Sequence, residues 1–203
     1  MVLSGQEVLD ILIMSVFLGW LFEDLLRPKT LLSVDDDDIV NQYLGSKKSK
    51  WYNSNFFFSV LVVAPAVILH ELGHKFVAMS FGLEATFFAF YHEPLTLGLA
   101  ALAAFLKISG FGFVFIVPGF VGISAGASSM ESFWIAFAGP LVHLIFFVGS
   151  VLVEKFATNL SARVKEYVYL SKWINGLLFL INMLPIPGID GWAVYTNFNS
   201  WLF

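Results

Sequence analysis

Four stretches of this chain, residues 8–26, 55–81, 133–153 and 173–191, are apolar over lengths that few soluble folds tolerate. A helix needs about 20 mostly apolar residues to cross the hydrocarbon core of a bilayer, and each stretch comes near that length. Composition agrees. Of 203 residues 58% are hydrophobic and 13% charged, against about 45–50% and about 25% in a soluble domain. Mean hydropathy is +0.80. The expected architecture is an all-α polytopic membrane protein of about four transmembrane helices, forming one membrane-embedded domain over residues 1–203.

The same composition narrows the chemistry. There is no cysteine, so disulfides, thiolate nucleophiles and cysteine-based metal sites are excluded. The net charge of −4 gives no sign of a nucleic-acid partner; the bilayer is the expected surrounding. The N-terminus has no basic region before its first apolar stretch, so no cleavable signal peptide is visible. Two polar segments, 27–54 and 154–172, read as solvated loops. The first holds the acidic run 35–38 and Lys47, Lys48 and Lys50.

Residues 83–131 fit no simple span. Segment 85–91 is aromatic and suits an extended strand. Segment 94–108 is helical by composition but short. Segment 110–124 is punctuated by glycine and rich in aromatic and β-branched residues, which favours strands and turns. Such backbone is tolerated at membrane depth only when protein or a watery cavity covers it. We therefore expect a partly inserted strand or re-entrant element here; the alternative is one more span over 95–117.

The second apolar stretch contains His70-Glu71-Leu72-Gly73-His74. Residues four apart lie on one helical face, so His70 and His74 can present two imidazoles to one metal ion, with Glu71 beside them as a base. This is the HExxH arrangement of zinc peptidases. Ionisable groups within an apolar span are costly unless satisfied and are functional by default. Catalytic zinc takes three protein ligands and keeps one position open. The third must come from elsewhere. The last stretch ends in Asn182-Met183-Leu184-Pro185-Ile186-Pro187-Gly188-Ile189-Asp190-Gly191. Asp190 is its one carboxylate, delivered by a turn that two prolines force out of helix. If the spans alternate in direction, the second and fourth run parallel, and His70 and Asp190 fall at similar depth. Lys75 is expected to snorkel to the nearby surface, and Asp10 to be an interfacial residue near the end of its helix.

Together, the HELGH of residues 70–74 and the NMLPIPGIDG of residues 182–191 resemble the site-two proteases, intramembrane zinc metalloproteases that cleave membrane-spanning substrates. Phe137-Ala138-Gly139-Pro140 is similar to the third core span of that family. The resemblance covers residues 55–191. It implies a three-helix catalytic core plus an N-terminal helix, one zinc ion held by His70, His74 and Asp190, and Glu71 as general base. It implies that Asn182 positions substrate or stabilises the oxyanion; interhelical packing is the other reading. Where the family often has an asparagine three residues after the proline, this chain has His143, whose role is either a hydrogen bond between helices or support of the metal. The implied partner is a transmembrane protein substrate. An unwound peptide needs new backbone partners, and strand addition to segments 85–91 and 111–117 would supply them.

Nine of the eleven basic residues lie in segments 27–54 and 154–172. By the positive-inside rule these loops would be cytoplasmic. The resemblance implies the opposite orientation, in a cell membrane, with the active site nearer the cytosol, and we adopt it. Two rivals are kept. One is a membrane zinc peptidase whose third ligand is Glu93. The other is a metal-binding transporter or scaffold, for which Asp10, His92 and Glu93 are too few and too scattered to trace a path.

Overall fold

The computed structural model describes residues 3–26, 55–111 and 119–202. The loop at 27–54 and segment 112–118, which covers most of the second strand expected from the sequence, lie outside the described residues. Within them the chain forms six helices and one two-stranded sheet.

Helix α1, Gly5–Phe22, opens on a capping box in which Ser4 and Glu7 satisfy each other's backbone N–H. Such caps contribute about 0.5–2 kcal/mol. Helix α2, Asn55–Ser80, carries HELGH. Gly82, at φ +80°, then turns the chain into strand β1, Ala85–Phe88. A short 3₁₀ turn, Phe90–His92, leads to helix α3, Pro94–Ile108. Strand β2 is Phe120–Ile123 and pairs antiparallel with β1, Ala85 opposite Ile123 and Phe88 opposite Phe120. Helix α4 is Ser129–Phe156, α5 is Ala162–Asn182 and α6 is Asp190–Leu202.

Three described helices, α1, α2 and α4, are long and apolar enough to cross a membrane. The protein is a membrane protein on that ground. Helix α2 lies at the centre, with α1 on one side and α4 on the other; α5 and α6 pack on α4, and both strands pack on α2. The α1–α2 seam holds the core, including Met14, Leu18, Leu21, Val62, Val63 and Phe87. Apolar side chains such as Leu12, Val16, Ile145 and Leu180 face outward, as lipid contact requires.

Several boundaries differ from the sequence reading. Helix α5 begins at Ala162, so most of the segment read as a polar loop is helix, capped by Ser161. Its charged residues mark a solvated helical turn, which polarity alone does not separate from a loop. The last apolar stretch is divided, because Pro185 and Pro187 end α5 and Asp190 starts α6. The additional span over 95–117 is not formed: α3 ends at Ile108, and Gly110 at φ +69° turns the chain.

Helix α3 has its course fixed at both ends by contacts with α1. It begins beside Asp10, through His92 at 2.9 Å. It ends beside Trp20, whose carbonyl accepts a hydrogen bond from Lys107. It therefore runs alongside α1 in the same direction, away from the sheet.

Candidate metal centre

His70 and His74 lie one turn apart near the C-terminal end of α2, with Nε2 atoms 3.1 Å apart. Asp190 is the first residue of α6. Its Oδ2 is 3.0 Å from His70 Nε2 and 3.5 Å from His74 Nε2. All three ligand atoms lie within 4.8 Å of one another. Both histidines are buried and Asp190 is partly exposed.

Local sequence explains each placement. Pro185 and Pro187 forbid continuation of α5. Gly188 takes φ +90°. A Cβ at Gly191 would collide with the backbone of Met183 and Leu184, so glycine lets the turn fold back on the end of α5. On α4, a Cβ at Gly139 would overlap both imidazoles. On α2, a Cβ at Gly73 would come within 3.0 Å of the Ala138 carbonyl. These two glycines allow α4 to close over the histidines.

The donor set suits a cation. The Ile135 carbonyl lies 2.6 Å from His74 Nδ1 and can only accept. The proton therefore sits on Nδ1, and Nε2 turns its lone pair inward. That lone pair and the Asp190 carboxylate face the same small space. One proton on His70 Nε2 can satisfy one of them well, whereas a divalent ion satisfies all three. His70 Nδ1 is buried without a hydrogen bond among the described residues. His70 is instead held by stacking on His143, ring centroids 4.7 Å apart.

His143 is fully buried and bonds through Nδ1 to Asn175 Oδ1 at 3.0 Å. The Asn175 amide donates to the Ser171 carbonyl at 2.9 Å. Its oxygen is thus left as an acceptor, and His143 Nδ1 donates. This chain fastens α4 to α5 behind the His70 ring. Glu71 is buried, close enough to interact electrostatically with His74 and Asp190. Asn182 closes α5, partly buried. Glu93 is elsewhere: it is the N-cap of α3, accepting from the Thr96 N–H at 3.2 Å. It belongs to no ligand cluster among the described residues, so the geometry favours Asp190 over Glu93 as the third ligand.

Two expectations are corrected. Lys75 does not snorkel. It is 2% exposed and paired with Glu7 of α1, because α1 covers the flank through which its side chain would leave. Asp10 lies near an end of its helix, as expected, but does not face solvent. It is fully buried, and it accepts hydrogen bonds from Gln6, Ala89 N–H and Tyr91 and faces His92. The bond to Asp10 raises the Tyr91 phenol above its ordinary pKa, with burial adding to the effect. The Ser4-x-x-Glu7 spacing matches a capping box, a signal missed in the sequence reading; nothing in the sequence marks the second role of Glu7.

Two imidazoles on a helix able to span a bilayer, met by a carboxylate from α6, define a membrane protein with three side chains placed to hold a metal ion. The chain is 37% identical over 139 residues to "Putative zinc metalloprotease MJ0611" of Methanocaldococcus jannaschii, covering 67% of this chain and 68% of that protein. It is 28% identical over 155 residues to "Putative zinc metalloprotease YwhC" of Bacillus subtilis, covering 68% and 67%. It is also 28% identical over 155 residues to "Putative zinc metalloprotease Rip2" of Mycolicibacterium smegmatis, of whose length it spans 55%. No family profile matches the chain, and no solved structure does. The chain belongs to this zinc metalloprotease family, the site-two protease-like group that its two motifs resemble.

Proposed function

We propose that this protein is an intramembrane zinc metalloprotease that hydrolyses peptide bonds in or near the membrane-spanning segments of membrane-protein substrates. One observation carries the reading: the His70, His74 and Asp190 ligand atoms converge within 4.8 Å on a helix apolar enough to span a bilayer. These three residues hold one zinc ion; two imidazoles and a carboxylate suit it. Zinc, when bound, supplies Lewis acidity, polarising a carbonyl and making water acidic enough to attack near neutral pH. Glu71 takes the proton of the attacking water and delivers it to the leaving amine. The Asn182 amide donates to the developing oxyanion, a contribution of about 2.7–4 kcal/mol for one such donor.

A substrate helix hides its carbonyls and must unwind first. The extended peptide adds to the small sheet. The Ser124 N–H donates to the Glu84 carbonyl at 2.9 Å. In the antiparallel alternation Gly122 and Phe120 then face β1, and the Val121 and Ile123 N–H groups turn to the far edge of β2. That far edge receives the peptide. The active site lies nearer the cytosolic face of the cell membrane.

The test needs no natural substrate at first. Protein purified in detergent is expected to hold one zinc per chain. The metal should be lost in His70→Ala and Asp190→Ala and kept in Glu71→Gln and Glu93→Ala. Glu71→Gln should then cleave no membrane-spanning test substrate. A folded wild type without zinc would overturn the reading.

A further inference from the structure

Helix α1 carries two buried carboxylates, one bonded to the backbone of β1 and the other to the residue that follows it. Glu7 Oε1 accepts from the Phe87 N–H at 2.8 Å and from Lys75 Nζ, while Oε2 accepts from the Ser4 N–H at 2.8 Å. Asp10 accepts from the Ala89 N–H at 3.3 Å, from Gln6 Nε2 at 2.9 Å and from the Tyr91 hydroxyl, with His92 Nε2 at 2.9 Å. An ionised carboxylate offers about four lone-pair sites, and Asp10 uses all of them.

The spacing has a meaning. Phe87 and Ala89 alternate along the chain, so their N–H groups point the same way, to the edge opposite β2. Glu7 and Asp10 are three apart and share a helical face. The two carboxylates therefore occupy the place that carbonyls of a third strand would take. Lys75 follows His74 directly and reaches the same Glu7 oxygen. One side chain thus ties the HELGH helix to the strand.

We propose that Glu7 and Asp10 are positioning residues of the protease: both fasten β1 and its C-terminal end to α1, and Glu7, through Lys75, ties the strand to the HELGH helix, so that a peptide held on the outer edge of β2 meets the metal in a single register. This rests on the strand-addition reading above. Stability alone is a weak reason for such groups, since apolar replacements of buried ion pairs are often neutral or stabilising. Register is what the geometry supplies. A one-residue slip of β1 would turn the Phe87 and Ala89 donors to the other edge.

The test compares two double variants. Glu7→Ala with Lys75→Met removes the acceptor of the Phe87 N–H without stranding a buried cation. Glu7→Gln with Lys75→Met keeps an acceptor oxygen. The probe is a single-span test protein whose span carries a Pro-Gly break, with cut positions read by mass spectrometry. In the alanine double we expect one zinc per chain and hydrogen exchange at Phe87 faster by tenfold or more. KM should rise more than kcat falls, and cuts should spread to neighbouring peptide bonds. The glutamine double should restore the single cut.

Unchanged cut position and KM in the alanine double, with Phe87 exchanging fast, would overturn the proposal; so would unchanged exchange. If the alanine double fails to fold, Asp10→Ala removes the acceptor of the Ala89 N–H and asks the same question there, with Asp10→Asn as the variant that keeps an acceptor, read by the same outcomes. Val121→Pro in the otherwise native chain separates the two ideas. Cleavage that survives it sinks strand addition and this inference together. Cleavage lost there, with the alanine double still cutting at one bond at native KM, leaves strand addition standing and sinks this inference alone.

Discussion

Gly139 shapes the centre as much as the side chains that face it. A Cβ there would overlap the His70 and His74 rings, and overpacking of this kind costs about 1–3 kcal/mol. Gly139→Ala is therefore expected to lower the melting temperature and to reduce zinc per chain, both read on detergent-purified protein. His143 acts more gently. It stacks on His70 and is itself held by Asn175. His143→Ala should leave the fold intact and weaken zinc retention about 10–100-fold in a chelator competition, the usual effect of losing support behind a ligand. At this scale the sequence was informative where chemistry is local. Two histidines four apart in an apolar helix, and one carboxylate after two prolines, can be read from spacing. The seat at Gly139, the brace through Asn175 and the burial of Lys75 cannot, because each depends on which helix face meets which.

Among the elements, α3 shows what composition leaves open. Its 15 residues are apolar enough for a membrane but short for a span. What fixes its course is a contact at each end, with His92 on Asp10 at the start and Lys107 at the finish. Lys107 is the sole lysine or arginine in residues 83–131. It bonds the Trp20 carbonyl, pairs with Glu23 at 3.2 Å and lies over the Trp20 ring. Lysine near a helix C-terminus is favoured by the free carbonyls there. Lys107→Met should cost about 1.5 kcal/mol, the low end for hydrogen bonds to a charged group, and should speed hydrogen exchange along α3 more than along α2. Helices α1, α2 and α4 followed from apolar length; the polar first half of α5 and the whole of α6 did not. Nor did the strand partner. Aromatic and β-branched residues run through 110–124, and only pairing with Ala85–Phe88 singles out Phe120–Ile123.

For the molecule as a whole, the absence of cysteine is useful, because a single introduced thiol reports orientation without background. Asn159 lies in the turn between α4 and α5, and Ala125 between β2 and α4; both are exposed. With the active site nearer the cytosol, a membrane-impermeant maleimide added to intact cells should label Asn159→Cys and should reach Ala125→Cys only after permeabilisation. The reverse pattern would follow the distribution of basic residues instead. Chelation offers a second test. The centre joins α2 to α6 across the bundle, so removing zinc should speed hydrogen exchange at the start of α6 while α1 and its Glu7 contacts stay protected.

The division of the ligands along the chain also sets an order in time. Asp190 follows His74 by 116 residues. A ribosome adding about 5–20 residues per second needs roughly 6–23 seconds to cover that distance. On the proposed site, HELGH waits through this interval without its third ligand, and no hydrolytic centre exists. The protein is thus made inert, and it becomes a protease only when the last turn swings its aspartate back to a helix synthesised long before.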